Sequence, residues 1–151
     1  MTGAGSLRVA RFNLPISQEN ATIVRSVYAG FSGLARGGGI ASYVADYFHS
    51  DCEYRPLEEA SAIRGHDALI RWIERWLEAW DDAWDEIDEV IEAGEVVVAA
   101  IRVHGRGRRS KMEISQRLFD VFELRDGRVL RVTEYLNHDR ALEAAGFRSR
   151  R

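Results

Sequence analysis

From Gln18 to Ala145 the chain switches between two spacings of apolar residues. Ile23, Val27 and Phe31 repeat every four positions, with Val24 and Tyr28 beside them, which predicts one apolar helix face. Pro15 precedes that face, Ser17 fits the N-cap, and Glu19 fits the first turn. Gly37, Gly38 and Gly39 end the pattern. A second short helix is predicted from Ile40 to Phe48, with Tyr43, Val44, Tyr47 and Phe48 on its apolar side. Cys52 to Arg55 reads as a short strand stopped by Pro56, and residues 57–65 as a loop. Asp67 then opens a helix along which Leu69, Trp72, Ile73, Trp76, Leu77 and Trp80 recur at helical spacing.

Residues 84–93 fit either period, because Ile87, Val90 and Ile91 suit a helix extension or a strand. Beyond them the spacing becomes two. Val96 to Val103 is rich in β-branched residues, and Lys111 to Leu124 and Arg128 to Leu136 follow as strands. Asp126-Gly127 between the last two suits a type I′ turn, which needs positive φ at both central positions. His138 to Ala145 closes as a helix stopped by Gly146. Helices, a strand, a helix and then hairpin-linked strands predict an α+β domain, with helices gathered on one side of an antiparallel sheet. One domain over residues 17–147 is expected, with a flexible N-terminal arm at 1–16 and a basic tail at 148–151.

Composition narrows the function. A net charge of −3 argues against a chain built mainly to hold nucleic acid. Arg102, Arg106, Arg108, Arg109 and Lys111 make a basic stretch, but no aromatic residue interleaves it as single-strand binding requires. The single cysteine, Cys52, forms no internal disulfide, and the histidines at 49, 66, 104 and 138 are too scattered for a zinc site, so no metal and no cofactor are expected. No run approaches the ~18 apolar residues of a membrane helix, and Arg8 and Arg11 interrupt any signal-peptide core; a cytoplasmic protein is expected.

Polar residues on otherwise apolar strand faces supply the candidate chemistry. Side chains alternate between strand faces. The sets Val96, Val98, Ala100, Arg102, His104; Met112, Ile114, Gln116, Leu118, Asp120, Phe122, Leu124; and Leu130, Val132, Glu134, Leu136 are each mostly apolar and are assigned to the helix side. Arg102, His104, Gln116, Asp120 and Glu134 interrupt them. A charge in a dry core costs several kcal/mol unless paired or wetted, so five such residues point to a shared cavity. Plainer readings stand beside this one: a wet strand end for Arg102 and His104, an Arg102–Glu134 ion pair, and a neighbouring helix end or a tyrosine as the partner of Asp120. Trp72 and Trp76 are expected in the pocket wall, with Tyr28, Phe31, Leu118 and Gln116 as further ligand-binding residues.

The stretches ENATIVRSVYAGF, DCEYRP, RGHDALIRWIERWLEAW, AGEVVVAAIRVHGRGRRS and QRLFDVFELRDGRVLRVTEYLNHDRALEAAG resemble the SnoaL-like branch of the nuclear transport factor 2-like superfamily, over roughly residues 18–147. Polyketide cyclases, ketosteroid isomerases and limonene epoxide hydrolases belong to it. The resemblance implies a cone-like curved sheet wrapped around helices with an internal pocket, commonly a homodimer, and makes residues 84–93 a strand. Limonene epoxide hydrolases use an Arg-x-Asp pair on one strand, a further Asp on the last strand, and a tyrosine and an asparagine on the first. Here the matching positions hold Arg102 and His104, Glu134, Tyr54 and Pro56, so only the arginine and the tyrosine are retained. Cyclases and ketosteroid isomerases abstract a proton next to a carbonyl with an acidic base; Asp120 and Glu134 are the candidates here.

The resulting expectation is a protein with a pocket for a small apolar molecule. It would do proton-transfer chemistry of isomerase, cyclase or hydrolase type, with His104 or Glu134 as base, Arg102 stabilising negative charge and Tyr54 donating a hydrogen bond. The alternative is a non-catalytic binding or protein-interaction module of the same fold. A homodimer is expected through the outer sheet face, on the row Val97, Ala99, Ile101, Val103, Phe119 and Val121.

Overall fold

The computed structural model describes the backbone of residues 4–147 and the side chains from Glu19 to Phe147. The expected basic tail at 148–151 lies outside the described residues. Helix α1 (Ala4–Leu34) is followed by α2 (Ile40–Tyr47), β1 (Phe48–Arg55), β2 (Ile63–Arg64), α3 (Gly65–Glu78), β3 (Trp80–Ala93), β4 (Val96–Gly107), β5 (Glu113–Arg125), β6 (Arg128–Tyr135) and α4 (His138–Ala144). The strands form one open sheet in the order β2-β1-β6-β5-β4-β3. The α+β class and the wrapping of the sheet around helices are as the sequence predicts, and residues 84–93 are strand throughout. Asp126 and Gly127 both have positive φ, 54° and 77°, as the hairpin turn requires.

Four expectations change. First, α1 does not start at Ser17; its backbone is helical from Ala4 through Pro15. The alternation from Leu7 to Leu14 is short enough to fit either period. Second, Trp80 is the first residue of β3, not the last of the tryptophan helix, which ends at Glu78. Third, the sheet is mixed, because β1 and β6 pair in parallel. Fourth, the helices are not all on one side. Helix α4 packs Ala141 and Leu142 against Val98, Ala100, Phe119 and Val121 on the outer face, while α1, α2 and α3 fill the inside.

That fourth point reverses the reading of β4. Val97, Ala99, Ile101 and Val103 face the helices, with Val97 and Ala99 fully buried. Register carries the same face across the sheet: Val97 pairs with Phe122, Ala99 with Asp120, Ile101 with Leu118 and Val103 with Gln116. The set containing Arg102 and His104 is therefore the outer one. The apolar row that motivated a homodimer is gone from the outside, since its β4 members point inward and α4 covers Phe119 and Val121. In β6, a register shift at Glu123–Leu124 brings Val129 into the core in place of Leu130, and Leu136 lies exposed past the strand end. Met112 precedes β5 and is exposed as well.

Two contacts tie α1 to the edge strand β3. The Asp85 amide donates to Ser32 Oγ at 3.3 Å, and Asn20 Nδ2 donates to the Gly94 carbonyl at 2.8 Å. The first covers a backbone group of the edge strand, which would otherwise be open to pairing with another chain, and the second holds the turn that follows it.

Candidate active site

Helical spacing along α3 stacks its tryptophans. Trp72 and Trp76 lie with ring centroids 6.4 Å apart, Trp76 and Trp80 5.6 Å, and Trp76 and Phe31 of α1 5.3 Å. Tyr54 of β1 meets Trp72 edge-on at 4.9 Å. Gly105 of β4 lies under the Trp80 ring, where an added Cβ would come within 2.8 Å of it, so the absence of a side chain seats that ring. These rings wall a cavity of about 170 Å³ between the helices and the inner sheet face. Tyr28, Phe31, Tyr54, Trp72, Trp76, Gln116, Leu118, Asp120 and Glu134, all singled out from the sequence, line it.

Three acidic side chains from three strands reach the same space: Asp85 of β3, Asp120 of β5 and Glu134 of β6, with Glu58 also in the lining. No lysine, arginine or histidine lines the cavity among the described residues. Asp120 is 4% exposed. Its Oδ2 accepts from the Tyr28 hydroxyl at 2.5 Å, and its Oδ1 has no partner. Burial, then the Glu134 and Asp85 charges, push its pKa far above the carboxylate range, against a smaller downward pull from Tyr28. Glu134 is differently held. Tyr54 donates to its Oε2 at 2.6 Å and the Leu57 amide to its Oε1 at 3.2 Å. Burial raises its pKa, and these two bonds moderate the rise. The Asp85 carboxyl makes no hydrogen bond among the described residues. Burial and the Glu134 charge push its pKa up to about 7, while His104, across the sheet, pulls it down.

Two candidates fall outside the cavity. Arg102 donates from Nε to Asp88 Oδ2 at 3.1 Å, on the outer face. His104 stacks on Trp84 at 5.0 Å and bonds Glu86. Neither lines the cavity, so the predicted cluster of Arg102, His104 and Glu134 does not form and the Arg-x-Asp correspondence fails. The reason is one of parity. Both faces of Val96 to Ile101 are apolar because helices cover both, so only the strand's far end separated them. The set without a charge, Val97 to Val103, was the inner one.

Asp85 was not singled out from the sequence, where it is one acid among many in residues 74–95. Once residues 84–93 are a strand, Ala83, Asp85 and Ile87 share one face, and pairing of Asp85 with Val103 makes that face the inner one. A carboxylate between two apolar neighbours at spacing two was the available signal.

Residues 24–132 match the SnoaL-like domain. The chain belongs to the SnoaL-like family. No protein of curated function matches it significantly in sequence. This SnoaL-like chain is similar in fold to a candidate SnoaL-like polyketide cyclase from Jannaschia sp. CCS1, at 17% identity and a TM-score of 0.71, over 87% of this chain and 93% of that one. A protein of ketosteroid isomerase-like fold from Catenulispora acidiphila, solved with trimethylamine, aligns at 15% identity and a TM-score of 0.66, over 83% and 93% of the two chains. An epoxide hydrolase from M. tuberculosis, of the limonene epoxide hydrolase type, aligns at 16% identity and 0.66, over 85% and 92%. At these identities the likeness is one of fold. Among the described residues no helix is long and apolar enough to cross a membrane, and no group of acidic, His or Cys side chains could hold a metal ion.

Proposed function

We propose that this SnoaL-like chain is a proton-transfer enzyme acting on a small, mainly apolar substrate, with Asp85 as base and Asp120, held by Tyr28, as hydrogen-bond donor. The observation that carries this reading is the contrast between two carboxyls in one cavity. Asp85 has no protein hydrogen bond to its carboxyl and its pKa is pushed up to about 7, so near neutrality it both takes and returns a proton. Asp120 is buried more deeply and keeps its proton. With Oδ2 occupied by Tyr28, the free Oδ1 is where that proton can serve a substrate oxygen. Paired carboxyls pushed apart by their surroundings are the usual division between base and acid. Glu134 already accepts two hydrogen bonds and is better placed to hold Tyr54 and the chain at Leu57.

In the step this supports, ionised Asp85 removes a proton from a carbon next to a carbonyl. The electron pair moves onto the carbonyl oxygen, which Asp120 stabilises through its O–H, and Asp85 returns the proton to carbon. Epoxide hydrolysis gains less support, since the arginine it would use lies outside the cavity.

The test is solvent deuterium incorporation into a small carbon acid, 2-tetralone, followed by proton NMR. Exchange should exceed the buffer rate and rise with pH through about 7 as Asp85 ionises. Asp85→Asn should lose a factor of about 10²–10⁴. Equal exchange by the wild type and Asp85→Asn would sink the catalytic reading and leave a binding module.

A further inference from the structure

The cavity's charge is one-sided. Asp85, Asp120, Glu134 and Glu58 line it, and no basic side chain does among the described residues. This differs from the outer sheet face, where Asp88, Glu113 and Glu53 pair with arginines. The remaining wall is aromatic, and Glu134 lies at the end of the ring row because Tyr54 both bonds it and packs on Trp72. An anionic ligand would be repelled. A neutral one would leave an ionised Asp85 without a counter-charge. A desolvated cation gains from both the carboxylates and the ring faces.

We infer that this site, on the reading above, takes a small apolar cation: an amine or quaternary ammonium whose charge faces Asp85 and Glu134 and whose carbon skeleton packs on Trp72 and Trp76. The groups that bear on Asp85 are Glu134 of β6, Asp120 of β5, the hydroxyls of Tyr28 and Tyr43 on α1 and α2, and His104 on the opposite face of β4. Of these, Asp85, whose pKa is pushed up to about 7, changes charge near neutrality. Ionisation of Asp85 adds negative charge inside the cavity, so cation affinity rises with pH.

The experiment compares benzyltrimethylammonium with its uncharged carbon isostere, neopentylbenzene, by tryptophan-fluorescence titration at pH 5.5 and pH 8. The quaternary ammonium has no proton to lose, so any pH dependence belongs to the protein. At pH 8 the cation should bind at least about tenfold more tightly than the isostere, and the ratio should shrink several-fold at pH 5.5. Asp85→Asn should remove the pH dependence, and His104→Gln should keep it. Equal or tighter binding of neopentylbenzene at both pH values overturns the inference, as does a failure of both compounds to bind. A cation preference without deuterium exchange into 2-tetralone sustains this inference and overturns the proton-transfer reading instead.

Discussion

The two faces of the sheet treat their acids in opposite ways. Outside, Asp88 pairs with Arg102 and Arg117, Glu86 with His104, Glu113 with Arg106, and Glu53 with Arg55 and Arg131. Inside, Asp85, Asp120 and Glu134 meet tyrosines, a backbone amide and one another, and no cation. Asp85 and Glu86 are adjacent in the chain and fall on either side of this division. The difference shows that a carboxylate's chemistry is set by which face the strand's parity gives it. Outside, water and guanidinium hold the charge; inside, burial withholds both and keeps a proton within reach of neutral pH.

The sharpest way to break this comparison uses the two tryptophans that mark the faces. Trp72→Ala should cost about 3–5 kcal/mol, because it empties a packed wall of the inner core. Trp84→Ala, on an exposed outer ring, should cost about 1 kcal/mol or less. Urea denaturation of both variants checks the pair, and similar losses would remove the distinction between packed and open faces.

A second test exchanges charge at fixed shape. The fold raises the Asp85 pKa, so the folded chain keeps a proton that the unfolded chain releases near pH 4. The stability associated with Asp85 therefore falls as pH rises from about 4 to about 7, and is level above that. Asp85→Asn should stabilise the protein by about 1–3 kcal/mol at pH 8 and by much less at pH 4.5, while lowering exchange activity. Melts at the two pH values read it; a stabilisation that is the same at both would mean that Asp85 does not titrate in this window. Tyr28→Phe should destabilise by about 1–3 kcal/mol, since it leaves both Asp120 oxygens without a partner.

The smallest effect belongs outside. Arg102→Ala should change stability by about 1 kcal/mol or less, fading with added salt, because the Arg102–Asp88 pair is solvent-exposed. Its effect on ligand affinity in the cavity should be negligible. A tenfold loss of binding would return Arg102 to the site.

The chain's own pattern was enough for several features. Helical spacing gave the tryptophan wall, Asp126-Gly127 gave the last hairpin, and alternation in β5 and β6 put Asp120 and Glu134 inside. Each of these signals is local: a helix period, a turn that needs positive φ, or a strand with one clearly polar face. The tertiary structure decided what local pattern left degenerate. The apolar run of β4 reads equally well on both faces, and only the docking of α4 outside and α1 to α3 inside shows why. One step of parity sends Arg102 and His104 to the outer face and, through the pairing of β3 with β4, brings Asp85 in. A strand shifted by one residue exchanges every side chain between faces, so a site built across strands is fixed by register and by what covers each face rather than by any one segment.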